Sequence, residues 1–374
     1  MGLRIVGIGT VVPEHSATQS ESAELHARFF DATGKRARVL EVLYRRAGVK
    51  KRHSVLLEAS VGPVAERQWF YEISASPEDS GPGTDQRMRR YEQDAPPLGA
   101  EAARRALVDA GLSASAVTHL VTVSCTGFFA PGLDVALAHL LDLTPTIERT
   151  HVGFMGCHGA LNGLRVASAY TAADPDACVL VCSVELCSLH FRYGWDLDMM
   201  VSNALFADGA AAVVGVGTGS PSEISGGGDK AGDGDWTVVA NGTCVIPDSR
   251  EAMSWRIGDH GFRMTLSVEV PQLVEAHVRP WIDGWLAGQG LSLEQVATWA
   301  VHPGGPRILE AFSSAAGLAD NDTAVSRDVL SEFGNMSSAT VLFILERLRA
   351  SGAQLPCVAI GFGPGLVIEA MLIR

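Results

Sequence analysis

Long apolar runs are what this chain lacks first. No window of its 374 residues approaches the uninterrupted apolar stretch, ~18 residues, that a membrane span requires. Excess positive charge is also missing. With 29 Lys and Arg against 42 Asp and Glu, the formal charge is −13, which argues against nucleic acid or an anionic membrane surface as a partner. Any anionic ligand would need a local basic patch. The start, Met1-Gly2-Leu3-Arg4-Ile5-Val6-Gly7-Ile8-Gly9, reads as a strand and not as a charged leader followed by an apolar segment. The seven cysteines are odd in number and contain no Cys-x-x-Cys pair. Cys178, Cys182 and Cys187 lie in and just after an apolar strand, a poor arrangement for a metal. There is no Walker motif, and Gly215-Val216-Gly217-Thr218-Gly219 misses the dinucleotide fingerprint. These absences lead to the expectation of a cytoplasmic protein with free thiols and neither metal nor resident cofactor.

What remains is a core-rich globular composition, 47% hydrophobic and 19% charged. The length suffices for two core units or one large α/β domain. Strands are expected at Leu3–Ile8, His119–Ser124, Cys178–Ser183, Ala210–Val216, Thr298–His302, Val358–Phe362 and Leu366–Ile373. Helical patterns cover Gly99–Ala110, Gly132–Leu141, Ala160–Ala173, Val268–Gly288, Arg307–Ala316 and Ser338–Ala350. Ser74–Gly83 and the glycine-rich Gly215–Asp235 read as loops, the second as a boundary between halves. The halves look alike, since Val117 and Gly156 recur as Val296 and Gly334, displaced by 179 and 178 residues. Such a repeat of βαβ units would bring two helix N-termini to one carboxyl edge, where ligands usually bind.

One of those helices opens at Gly156-Cys157-His158-Gly159, with an amphipathic run through Leu161, Leu164, Val166 and Ala167 behind it. Unpaired backbone N–H groups and the helix dipole favour a thiolate at such a position, so Cys157 is a candidate nucleophile expected to ionise readily. His302 ends an apolar strand at a Pro-Gly-Gly turn, and Asn335 precedes the second helix. Taken singly, each has a bland reading, as a structural histidine and an N-cap. Together, Cys, His and Asn can supply a nucleophile, its partner and two N–H donors for an oxyanion. Papain-like proteases share the order, but neither their cysteine motif nor a pro-segment is present.

With these residues in hand, the chain resembles the type III polyketide synthases, the chalcone synthase-like family of the thiolase superfamily, from about Ile5 to Arg374. The matching motifs are Gly156-Cys157, Leu205-Phe206-Ala207-Asp208-Gly209-Ala210-Ala211-Ala212, His302-Pro303-Gly304-Gly305-Pro306, Gly334-Asn335-Met336-Ser337-Ser338 and Gly361-Phe362-Gly363-Pro364-Gly365. Ser124-Cys125-Thr126-Gly127-Phe128 points to the bacterial branch. The resemblance implies an α/β, thiolase-like αβαβα layered fold from two similar halves, 1–220 with the Cys and 221–374 with the His and Asn. It further implies a homodimer acting on an acyl-CoA starter and malonyl-CoA. The starter would be loaded on Cys157, extended by decarboxylative condensation and cyclised to a resorcinol, pyrone or related phenolic.

By the same resemblance, His302 and Asn335 steady the thioester oxygen, His302 keeps Cys157 ionised, and Phe206 gates the CoA tunnel. Pocket positions fall on Cys125, Ala130, Cys187, His190, Trp255, Phe262, Met264 and Ser337, with Gly361, Phe362, Gly363, Pro364 and Gly365 as a cavity-lining loop. CoA contacts fall on Arg46, Arg307, Gly304 and Gly305, Arg46 within the basic run from Lys35 to Arg52. Trp255 stands where plant members have glycine, which makes a flavonoid product doubtful and an aliphatic or aryl starter more plausible. A β-ketoacyl-acyl-carrier-protein synthase III shares fold and triad but condenses once; Phe206, the terminal Gly-Phe-Gly-Pro-Gly and the length favour the polyketide synthase. A protein that only binds acyl-CoA would lack the triad.

Overall fold

In the computed structural model, which describes residues 2–29, 32–73, 79–218 and 236–374, the chain opens with strand β1 (Leu3–Val11) and β2 (Ser16–Thr18). Helices α1 (Gln19–Phe29) and α2 (Gly34–Arg46) and strand β3 (Lys51–His53) follow. Then come α3 (Thr84–Ala110), β4 (His119–Ser124), α4 (Leu133–Leu140), β5 (Glu148–Gly153), α5 (Gly159–Ala173), β6 (Cys178–Leu186), α6 (Leu197–Leu205) and β7 (Asp208–Gly217). The second half runs β8 (Thr237–Val245), β9 (Met253–Gly258), β10 (Gly261–Leu266), α7 (Val270–Ala287), β11 (Thr298–Val301), α8 (Pro306–Ala316), α9 (Ala324–Phe333), α10 (Thr340–Ala350), β12 (Cys357–Gly363) and β13 (Val367–Ile373).

Nine strands join in the order β11-β12-β13-β8-β1-β7-β6-β4-β5. The seam between β8 and β1 is short, resting on the pairs Leu3–Val238 and Arg4–Thr237 and on the Ile5 N–H to the Trp236 carbonyl at 2.8 Å, so the sheet divides there into two half-sheets. Within one, β4 pairs parallel with β6, and β6–β7 and β7–β1 are antiparallel. Within the other, β11 pairs parallel with β12, and β12–β13 and β13–β8 are antiparallel. The same order recurs, with the edge strand β5 as the addition. Helices α5 and α10 lie between the half-sheets: α5 touches β4, β6 and β13, and α10 touches β1, β7, β11 and β12. One apolar cluster surrounds this central pair, a second lies under α3 and α4, and a third under α7 and α8. The result is the αβαβα layering expected of the chain.

Every strand expected from periodicity is present, and so is every expected helix. Helix α3 is longer than expected: it starts at Thr84, fifteen residues before Gly99 (99 − 84), and contains Pro96 and Pro97. Proline removes an N–H and crowds the preceding turn, which is why the pattern appeared to begin after them. β7 continues to Gly217, into the stretch taken for a loop; residues 219–235 and 74–78 of the two expected loops lie outside the described residues. The polar edge strand β5 and the β9–β10 hairpin escaped notice because neither carries a continuous apolar face.

Small residues set the spacing of the outer layer. Ala102, Ala106 and Ala110 of α3 are buried over β1, and a Cβ at Gly7 would sit 2.7 Å from the Ala110 backbone nitrogen. Gly7→Val should therefore push α3 off the sheet and cost at least about 2 kcal/mol. Urea unfolding checks this, and an unchanged midpoint would mean that the helix has room to give.

Candidate active site

Cys157 lies in the short 3-10 turn Gly156–His158 that leads into α5. The turn requires glycine: Gly156 has φ 78°, and a Cβ there would run into the Pro364 ring. The Gly156 N–H points at the Cys125 sulfur, 3.0 Å away, so the floor of the turn is bound to the loop after β4. His302 directly follows β11, with its N–H on the Ile360 carbonyl at 2.8 Å, and is fully buried. Asn335 is stitched to the segment carrying Phe206: its N–H reaches the Leu205 carbonyl and its carbonyl accepts from Ala207, both at 2.9 Å. The Asn335 Oδ1 accepts the Ser337 N–H at 2.8 Å, which turns Nδ2 into the open donor. Asn335 Nδ2 and both ring nitrogens of His302 have no hydrogen-bond partner among the described residues. Asn335 and Ser337 stand against the Cys157 sulfur, while the Cβ atoms of His302 and His158 flank Gly361.

Burial overturns the expected ionisation. It pushes the Cys157 thiol up to about 12, with Glu185 adding to the effect and the Ser337 and Asn335 contacts opposing it. It also pulls His302 down to about 3, His158 contributing in the same direction. Burial therefore favours a neutral thiol and a neutral imidazole here. The helix end does not outweigh desolvation of a sulfur that is 8% exposed.

Below the thiol, Glu185 of β6 is fully buried and accepts from the Cys125 N–H at 3.0 Å, the Thr126 hydroxyl at 2.7 Å and the Ser338 hydroxyl. Burial raises it to about 7 against the opposing effect of these donors.

The site opens into a cavity of about 1200 Å³, its mouth included. Cys157, Phe206, Cys125, Cys187, His190, Trp255, Met264, Ser337 and Pro364 line it. His302 and Asn335 lie behind this wall. Phe262 is also behind it, stacked 4.1 Å from the His190 ring and bracing Trp255 edge-on. Trp255 is fixed across the cavity by its Nε1–H, which donates to the Cys125 carbonyl at 2.8 Å.

The glycine loop does something other than expected. Gly361 makes room for the Cβ and backbone of His158 and Gly363 for its ring, Phe362 packs into the outer core against Phe312, and the Gly365 N–H donates to the Met253 carbonyl of the hairpin at 3.0 Å. Of that loop only Pro364 reaches the cavity. Ala130 is exposed and off the wall. Arg46 and Arg307 are exposed, Gly304 is half-buried, and Gly305 lies against Leu205.

Sequence reasoning missed the far end of the cavity. There His26 and Phe29 of α1 meet Tyr71 and Phe191, with ring centres 4.1 Å apart for His26 and Phe191 and 5.3 Å for Tyr71 and Phe191. No motif marks these residues; only the buried face of α1 could have pointed to His26 and Phe29, and nothing local points to Tyr71 or Phe191.

The profile for "Chalcone and stilbene synthases, N-terminal domain" matches residues 2–220, and its C-terminal counterpart matches residues 237–374. The chain belongs to the chalcone and stilbene synthase family. It is 32% identical over 373 residues to "Alpha-pyrone synthesis polyketide synthase-like Pks18" of Mycobacterium tuberculosis, covering 98% of this chain and 90% of that one. It is 34% identical over 376 residues to "1,3,6,8-tetrahydroxynaphthalene synthase" of Streptomyces peucetius, covering 100% and 93%. Among solved structures, PKS-I of the brown alga Ectocarpus siliculosus superposes with a TM-score of 0.89 at 30% identity, covering 100% of this chain and 99% of that one. The family is that of the type III polyketide synthases, acyltransferases of the layered fold described above.

The raised value of Glu185 makes a prediction for this family site. A carboxyl lifted from 4.5 to about 7 by folding contributes most below pH 4.5, and that contribution is lost as pH rises through 7. The loss above pH 7 is at most about 3 kcal/mol. Glu185→Gln should therefore raise the urea midpoint more at pH 8.5 than at pH 5; an equal change at both would show that Glu185 does not titrate between them.

Proposed function

We propose that this chain loads an acyl-CoA starter on Cys157, extends it with malonyl-CoA and cyclises it to a resorcinol, pyrone or related phenolic. The observation that carries the proposal is a cysteine at the wall of a large, mostly apolar cavity, with the open donor of Asn335 against its sulfur and the unpartnered His302 ring behind the wall near His158. In loading, the Cys157 sulfur attacks the thioester carbonyl, the bond to CoA breaks, and the thiol proton leaves with CoA. In extension, the malonyl C–C bond breaks, carbon dioxide departs, and the electron pair stays as an enolate. Its oxygen is held by the His302 N–H and Asn335 Nδ2. A neutral imidazole suits this step, because it donates a hydrogen bond without readily giving up its proton to the carbanion. The enolate then attacks the acyl-Cys157 carbonyl, and the sulfur leaves with its electrons. CoA thioesters are the only other reagents, so the chemistry calls for no metal or redox cofactor.

Arg38, Arg45 and Arg46 on α2 are exposed and have no ion-pair partner among the described residues, a basic face suited to CoA phosphates in an acidic chain. The aromatic far end of the cavity suits an apolar starter, aliphatic or aryl. A second copy of the chain is proposed to cover edge strand β5 and the exposed Phe128, Phe154 and Met155 beside it. No helix among the described residues is long and apolar enough to cross a membrane, and the enzyme is proposed to work in the cytoplasm.

Incubation with malonyl-CoA and a panel of acyl-CoA starters, read by mass spectrometry, tests the function. Cys157→Ala should give no extended product; persistence of extension in that variant sinks the assignment. Trp255→Gly should shift the products toward longer chains by removing the ring pinned to Cys125. An unchanged product profile would show that Trp255 does not limit the cavity.

A further inference from the structure

Among the described residues one formally charged side chain lines the cavity, and the chemistry above does not use it. Arg52 of β3 is 9% exposed. Its Nη1 donates to the carbonyl oxygens of Asn203 and, at 3.1 Å, Phe206, and its guanidinium lies 5.5 Å from the centre of the Tyr44 ring. Among the described residues its Nε has no hydrogen-bond partner, and neither does Nδ2 of Asn203, which also lines the cavity. No carboxylate among the described residues is within ion-pair distance of Arg52. Asp208 acts on it only from further off, and the Asp208 oxygens are taken by the Val55 N–H and by the Ser188 N–H and hydroxyl. Burial lowers Arg52 only to about 10, so it remains a cation near neutral pH. A buried cation without a counter-ion is costly to hold in an apolar wall, and an anionic oxygen brought in by a ligand would offset that cost.

We propose that Arg52, together with the Asn203 side-chain amide, forms an anion subsite that holds an enolate oxygen of a 1,3-dicarbonyl unit, in the growing chain or in a hydroxypyrone-type product. The identity of the ligand rests on the proposed function. Each malonyl extension places a ketone two carbons from the next carbonyl, and the carbon between them is acidic. The resulting enolate spreads its charge over two oxygens, which matches the planar donors of a guanidinium. The malonyl carboxylate is the other anion that enters. A cation bound to it would stabilise the charged ground state over neutral carbon dioxide and slow its loss, so the subsite is assigned to the chain.

The test compares two probes by isothermal titration. One is 4-hydroxy-6-methyl-2-pyrone, an enolate at neutral pH; the other is its 4-methoxy ether, which cannot ionise. The wild-type chain should bind the hydroxypyrone at least about 10-fold tighter than the ether. Arg52→Met should lose that preference and Arg52→Lys should keep part of it. Asn203→Leu, which retains the backbone carbonyl that Arg52 binds, should reduce it several-fold. Equal wild-type affinity for the two probes overturns the subsite, as does a preference that survives in folded Arg52→Met. Should Arg52→Met fail to fold, the wild-type comparison and Asn203→Leu decide between the same outcomes. Probe binding as expected without any extended product would retire the proposed function and leave the subsite standing; the opposite pattern would retire the subsite alone.

Discussion

Desolvation is the constraint on which the rest of this site depends. Cys157, His302, Asn335 and Glu185 are each less than a tenth exposed, and burial drives every ionisable member toward its neutral form. The resting site is thus a set of uncharged groups with unmet donors in a medium of low dielectric. Such donors are costly to leave open and strong when an oxyanion arrives. The backbone carries the cost of holding them: His302 hangs from Ile360, and Asn335 from Leu205 and Ala207, so neither ring nor amide needs a side-chain partner to stay in place.

The convergence of these groups follows from the repeat. Each half contributes a parallel strand pair and a helix that enters the central layer, and the turns before α5 and α10 carry Cys157 and Asn335. Close approach of the layers is possible only where side chains are missing. Gly156 yields to Pro364, and Gly361 with Gly363 yields to His158. The glycine loop that looks like cavity lining in the sequence is therefore, in large part, a packing device that with Gly156 lets the two halves meet at Cys157.

Much of this was legible beforehand. The inner strands β4, β6, β7 and β12 are buried along their whole length, so their apolar runs stood out, while Cys157 after β5, His302 after β11 and Asn335 after α9 were marked by their glycine-bounded motifs. Less legible were elements whose stability comes from context. Helix α3 runs through two prolines because its alanine face packs on β1, and β5 pairs at an edge without an apolar pattern of its own. The aromatic chamber of His26, Phe29, Tyr71 and Phe191 is drawn from three separate stretches of chain, and no local spacing announces it. Arg52 sat within a basic run that looked uniform, yet the fold buries it in the cavity wall and leaves Arg45 and Arg46 in water.

By itself, the order of residues determined the layered repeat, the family, and the candidate nucleophile with the two residues proposed to act beside it, because hydrophobic periodicity and glycine-bounded motifs are local properties. Only the tertiary structure decided which groups are charged, which face the cavity and which stand behind its wall. Those outcomes depend on how completely neighbours from distant parts of the chain exclude water. The helix end argues for an ionised Cys157, and the surrounding layers, by burying it, favour the neutral thiol.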